Sequence, residues 1–471
     1  MTSDPLPGGH PAPSRSTDAA ASTAGAAAAG GRPIPPREPP SRPPLAVPLA
    51  PTAPRPAGGP FQPGPRRADD RRIVVVAIAV AAGYLVAALL AALAGGLGAD
   101  FVSPWLPLHL ALAGGASTAI AGVMPFFVAA LAAGDPAPSR LRKAAVGFVA
   151  VGAALVAVRG IAPGEAWAWA PVVGGWLYLT GILWLALAVR ASGRKGLMVR
   201  RPIVSLGYTL AIVNVAVGGV LGTLFLAGWA PILERWAQLR PAHAWTNVIG
   251  FVSLVIVATL LHFLPTVLGG RIVPRRSAAL AVLGIAMGTP VVVLGLLVES
   301  GPVAGGGAAL VMTGAVATGL EAARVVRARG RWTSDPGWHR FASVGLLAGV
   351  AWFVAGASLA TGLLVRYGAT AEAWSTAIVA APLAVGWIVH VLMASRTHLL
   401  PSVGPGTPVQ HGHQRAILGR VATPRLAAGS GPTSRSTASR ETSGERPRAT
   451  NSATPGTEAG SGSTTPSGGQ Q

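Results

Sequence analysis

The chain has 471 residues, of which 51% are hydrophobic and only 11% charged, with a mean hydropathy of +0.51. That balance excludes an ordinary soluble protein, and its repeated apolar runs of about eighteen or more residues mark a polytopic membrane protein in a lipid bilayer. The net charge of +21 sits in alternate loops and in the two tails, so it reads as the positive-inside signature of topology, with no nucleic-acid partner implied.

The chain contains no cysteine. This rules out disulfides, c-type haem attachment through C-x-x-C-H, thiolate haem ligation and thiolate copper sites. Any metal must be held by His, Met or oxygen.

In chain order, residues 1–70 come first and are rich in Pro, Ala and Gly. Such a segment cannot bury a core and is expected to be a disordered cytoplasmic tail. Its start, MTSDPLPGGHPAPSRST, has no apolar centre, so no cleavable signal peptide is expected. A helical membrane domain over 71–400 follows. Its apolar runs predict about ten spans, at 73–97, 105–133, 144–158, 168–190, 202–228, 242–268, 277–298, 303–325, 339–365 and 375–395. Residues 401–471, rich in Ser, Thr, Gly and Pro, predict a second disordered cytoplasmic tail. His411 and His413 in it form too short a tract to assign a metal. The expected fold class is all-α, a polytopic membrane helix bundle.

Loop composition predicts orientation. RRADDRR, SRLRK, RASGRKGLMVRR, GGRIVPRR and RVVRARGRW alternate with GLGADFVSP, RGIAPGEAWAW, WAPILERWAQLRP, ESGPVAGG and VRYGATAEAW. The first set is far more basic and should face the cytoplasm of a plasma-membrane protein, with both termini inside. Trp105, Trp167, Trp169, Trp229, Trp236, Trp245 and Trp374 fall at the opposite, outer ends, where indole belts sit. Gly218-xxx-Gly222 and Gly345-xxx-Gly349 have the spacing of helix-packing seams. Pro125, Pro290 and Pro382 lie inside spans and are expected to kink them.

The histidines divide by depth. His109 and His243 lie near the outer ends of the second and sixth spans. His262 and His390 lie towards the inner ends of the sixth and tenth, and His398 just beyond the tenth. His339 begins the ninth. His243 and His262 are nineteen residues apart, about 28 Å along an α-helix and about 100° apart in azimuth. They cannot ligate one metal and belong to two layers. Two neutral imidazoles on facing helices can hold haem iron axially, or copper with a third ligand. Asn247, one turn from His243, is placed to orient that ring. The bland alternative is that each histidine is an interface residue.

No carboxylate falls at mid-membrane: Glu165, Glu234, Glu299 and Glu372 are outer, and Glu321 is inner with Arg324 three residues on. Proton-coupled transport commonly uses such groups. Asn214 is the one amide near the midplane and suits helix–helix bonding.

HLALAGGASTAIAG (His109 to Gly122), AHAWTNVIGFVSLVIVATLLHFLPTVLGGRI (Ala242 to Ile272) and VGWIVHVLMASRTHLLP (Val385 to Pro401) together resemble a family of actinobacterial membrane proteins. These are often labelled copper oxidase or nitrite reductase, and they are similar to subunit I of the haem–copper oxidases and to haem- and copper-containing proteins of nitrosative-stress defence. The resemblance implies that His109 matches the family's HLLLLG-type histidine, and His243 and Asn247 its AHxHLN-type motif. Trp245 stands where relatives commonly carry a second histidine, which favours a haem-only site over copper.

What this implies is a haem-binding redox membrane protein that passes electrons or responds to nitric oxide, with a periplasmic copper-protein or electron-transfer partner. Without cysteine, it is not expected to be a self-contained multicopper oxidase or copper nitrite reductase. The alternatives are a cofactor-free transporter or channel, and a structural membrane module.

Overall fold

The computed structural model describes residues 65–99, 102–103, 105–132, 136–162, 164–193, 202–272, 276–329, 340–368, 376–403 and 408–422. Among them there is no strand, and ten helices are long and apolar enough to cross a membrane. These are α1 (Asp69–Gly96), α2 (Trp105–Leu131), α3 (Ser139–Ile161), α4 (Glu165–Ser192), α5 (Pro202–Leu226), α6 (Trp236–Leu268), α7 (Arg276–Leu297), α8 (Gly301–Arg327), α9 (Arg340–Tyr367) and α10 (Ile378–Val403). The chain is an all-α integral membrane protein. An eleventh helix, α11 (Pro408–Ala422), packs against α9 and α10. It occupies the opening of the segment expected to be a disordered tail, tied down by Arg415 Nη1 donating to Ser402 Oγ at 2.9 Å. Residues 65–70 and 401–403 of the two expected tails are helical as well, and the rest of both tails, with His339 and Trp374, lies outside the described residues.

Helix ends depart from the apolar runs where an arginine enters the helix. The third span was expected to be short because Arg140, Arg142 and Lys143 interrupt hydropathy. Instead α3 begins at Ser139. Arg142 is buried at 1% exposure because it pairs with Asp70 of α1 and donates from Nε to the Ala137 carbonyl at 3.0 Å. Ser192, at the end of α4, accepts from the Ala137 amide at 3.0 Å. The guanidinium thus ties the ends of α1 and α3, and the Ala137 amide ties in the end of α4. Similarly, α10 runs to Val403, so Arg396 and His398 are inside a helix that was expected to stop near 395.

Lipid supplies no hydrophobic force between helices, so close packing must hold the bundle. The tightest seams are glycine contacts between α3 and α4 and between α7 and α8. A β-carbon on Gly152 would lie 2.4 Å from the Tyr178 nitrogen, and one on Gly288 2.6 Å from the Gly307 carbonyl oxygen. The predicted Gly345–Gly349 seam is also used, against Ala394 and Val391 of α10. The predicted Gly218–Gly222 seam is put to a different use, described below.

The most buried span is α6, 83% of whose central window is inside the bundle. It is flanked by α2 and α10, and these three share a feature that sequence periodicity does not reveal. Each contains a π-helical segment: Leu110–Ala116 in α2, Trp245–Ser253 in α6 and Ala381–Val389 in α10. The three π segments touch one another. A π turn leaves carbonyls poorly paired, and π segments gather at functional sites. Here side chains five residues on supply the bonds. Ser117 Oγ donates to the Leu112 carbonyl at 2.9 Å, Ser253 Oγ to Val248 at 2.8 Å, and His390 Nδ1 meets the Val385 carbonyl at 3.1 Å. Both serines also accept from neighbouring helices: Tyr178 Oη donates to Ser117 Oγ at 2.8 Å and Trp387 Nε1 to Ser253 Oγ at 3.0 Å.

Candidate functional site

His109 immediately precedes the π segment of α2, and His243 lies two residues before that of α6. Both stand at the tryptophan-rich end. The fold brings their rings to a centroid separation of 6.3 Å with only 12° between the planes. Trp105 stacks on His109 at 4.0 Å, and Phe225 of α5 meets His243 edge-on at 6.0 Å. Trp236 in turn lies edge-on to Phe225 at 4.8 Å. Both histidines are half-buried.

The tautomers follow from the partners. His109 Nδ1 lies 2.9 Å from the Trp105 carbonyl, and His243 Nδ1 lies 2.9 Å from the Gly218 carbonyl. A carbonyl only accepts, so in the neutral ring each Nδ1 carries the proton and each Nε2 keeps its lone pair. Asn247 Nδ2 sits 3.3 Å from His243 Nδ1, but it already donates to the His243 carbonyl at 2.8 Å. Two donors cannot bond each other, so Asn247 acts by fixing the His243 backbone and walling the ring.

Glycines make room for this arrangement. A β-carbon on Gly222 would lie 2.9 Å from His243 Cε1, and one on Gly218 2.2 Å from Asn247 Nδ2. The four-residue spacing of the glycines on α5 matches that of His243 and Asn247 on α6. These glycines cradle two polar side chains, where the sequence suggested helix–helix packing. The spacing match was the available signal for the cradle; Trp105 and Phe225 carried none beyond being aromatic.

The remaining candidates separate. His262 is buried at 3% exposure, edge-on to Phe127 at 5.8 Å. Phe127 meets Phe263 at 5.6 Å, and Phe263 meets His398 at 5.4 Å. The second layer therefore contains His398, one of the two histidines of the tenth span and its end that were expected there. His390, expected there, is exposed and turned back on its own Val385 carbonyl. The reason is the π segment just before it and the longer helix after it, which together shift the faces of α10. The same effect removes the 100° azimuth expected between His243 and His262, since Trp245–Ser253 between them is not α-helical. Their assignment to separate layers stands on their contacts. Asn214 bonds its own helix at Leu210 O, at 2.9 Å, and fills the gap over Gly250.

The fit of a metal follows from the donor set. Two metal–imidazole bonds of about 2 Å, plus the ring radius on each side, separate the centroids of a linearly bridged pair by about 6 Å. The observed 6.3 Å matches that length, and because the Nε2 lone pairs lie in the ring planes, ligation also requires each ring to turn its Nε2 edge towards the metal. Among the described residues no group of three His, Asp or Glu converges. Trp245, at 5% exposure, is packed in the core. The pair thus offers two neutral nitrogens without a third donor, which suits the axial positions of haem iron better than a three- or four-ligand zinc or copper site.

No model of a known protein family matches the chain, and no curated protein matches it.

Proposed function

We propose that this integral membrane protein is a redox-associated haem protein of the plasma membrane, in which His109 and His243 would hold the haem. The single observation that carries the reading is the facing pair itself: near-parallel rings 6.3 Å apart, each with Nδ1 committed to a backbone carbonyl. Fixing Nδ1–H orients a ligand ring and raises the basicity of its other nitrogen. When bound, haem held by both imidazoles would supply one-electron chemistry, and a diatomic ligand such as nitric oxide would bind only in place of one of the two histidines. The protein's own part is to hold the two imidazoles, through Trp105 O and Gly218 O, and to keep space around His243 through Gly222. The resemblance to haem–copper oxidase subunit I-like proteins points the same way. It extends the reading to a periplasmic electron-transfer partner at the tryptophan-rich face, with both termini cytoplasmic.

The test is an absorption spectrum of the detergent-purified protein, expressed with added haem, before and after dithionite. A Soret band that shifts on reduction, and is lost in His109→Ala and in His243→Ala, is the expected result. His390→Ala should leave it unchanged. A colourless protein that also binds no haem on titration would overturn the reading.

A further inference from the structure

Away from the histidine pair, α1, α2, α6 and α10 line a cleft of about 100 Å³ that opens to the outside of the bundle. Its walls are almost wholly apolar: Ala81, Leu85, Ala119 and Met124 are representative. Neither His109 nor His243 lines it. Thr259 does, and stays partly exposed although it belongs to the most buried span. The cleft is therefore open to the outside of the bundle at a depth where the surroundings are hydrocarbon. Its hydroxyl is spent on Val255 O at 2.7 Å, which leaves the wall apolar there.

One end of the cleft differs. Arg396, about two turns before the end of α10 at Val403, lines it, and no carboxylate does. Among the described residues no Asp or Glu pairs with Arg396. A half-buried guanidinium without a counter-charge, at the end of an apolar slot, is complementary to one kind of molecule. That molecule has a long apolar chain and an anionic head, and in a bilayer it is an anionic phospholipid. We propose that this cleft is a specific site for an anionic phospholipid, one acyl chain between α1, α2, α6 and α10 and the phosphate on Arg396. The basic ends of membrane helices attract such lipids generally; the slot makes this one a fixed site.

Native mass spectrometry of the intact protein, released from a non-ionic detergent containing phosphatidylglycerol or phosphatidylcholine of the same chain length, tests this. The wild-type protein should retain one phosphatidylglycerol preferentially. Arg396→Gln should lower that retention about tenfold, to the level of phosphatidylcholine, as expected for loss of a charge-assisted bond. Arg396→Lys should restore part of it. Ala119→Phe should lower retention of both lipids, with an unchanged melting profile showing that the bundle is intact. Equal retention of the two lipids by the wild type, or undiminished phosphatidylglycerol on Arg396→Gln, would overturn the site. Displacement of the phospholipid by equimolar oleate would overturn its assignment to a phospholipid.

Discussion

Gly222 matters for the β-carbon it does not carry. Alanine there would place a methyl group 2.9 Å from His243 Cε1, and the ring would have to swing away from His109. Gly222→Ala should therefore weaken the Soret band of a haem-loaded sample while leaving the helical circular dichroism intact. Gly218→Ala should act differently: its methyl meets the Asn247 amide, breaks the bond to the His243 carbonyl and costs about 1–3 kcal/mol by overpacking, measured as a lower melting temperature. At the other end, Asp70→Asn would leave Arg142 buried without its counter-charge, at a cost of about 3–5 kcal/mol. Thermal unfolding in detergent should show that loss, and Lys143→Ala, whose ion pair is exposed, should show almost none. Individual histidines were legible in the sequence because imidazoles in apolar runs stand out. Their partners were not, because Gly218 contributes a carbonyl and Gly222 an absence, and neither is a side-chain signal. His390 left the inner layer for the same reason: depth can be counted along a chain, but facing depends on helix winding.

Among the helices, the π segments set that winding, and the serines that close them are the points to test. Ser253→Ala removes both the bond to Val248 O and the acceptor of the buried Trp387 indole, so it should cost about 1–3 kcal/mol. Ser117 and Tyr178 form one linked pair. Ser117→Ala and Tyr178→Phe should each destabilise, and the double variant should cost clearly less than the sum, because the second change removes a group already left without its partner. Melting curves of the four proteins close that cycle. Hydropathy could not find these segments, since an apolar run reads alike in α and π winding. It did find the existence and order of all ten spans, because length and apolarity are what a bilayer demands. The ends it misplaced most, at Ser139, Trp236 and Val403, are those where an arginine lies within the helix: Arg142, Arg240 and Arg396.

Across the whole molecule, alternation of basic and tryptophan-rich loops predicts that both termini share one side. Fusions of a reporter active only in the cytoplasm should be bright at either terminus, and a reporter active only outside should be silent at both. Opposite results at the two ends would contradict an even number of crossings. The touching π segments carry a further consequence. A π segment amounts to one extra residue let into an α-helix, so the two halves of α6 run out of phase with each other. Deleting one residue from Trp245–Ser253 would bring them back into phase. In most membrane helices a deletion is ruinous, yet here the hydrogen-bond ladder would become more regular. The cost would be a turn of about 100° between the half that holds His243 and the half that holds His262. Such a protein should insert and stay helical while its two imidazoles at the tryptophan-rich end no longer face each other. The irregularity in α6 is thus the phase setting by which one helix serves two differently oriented layers.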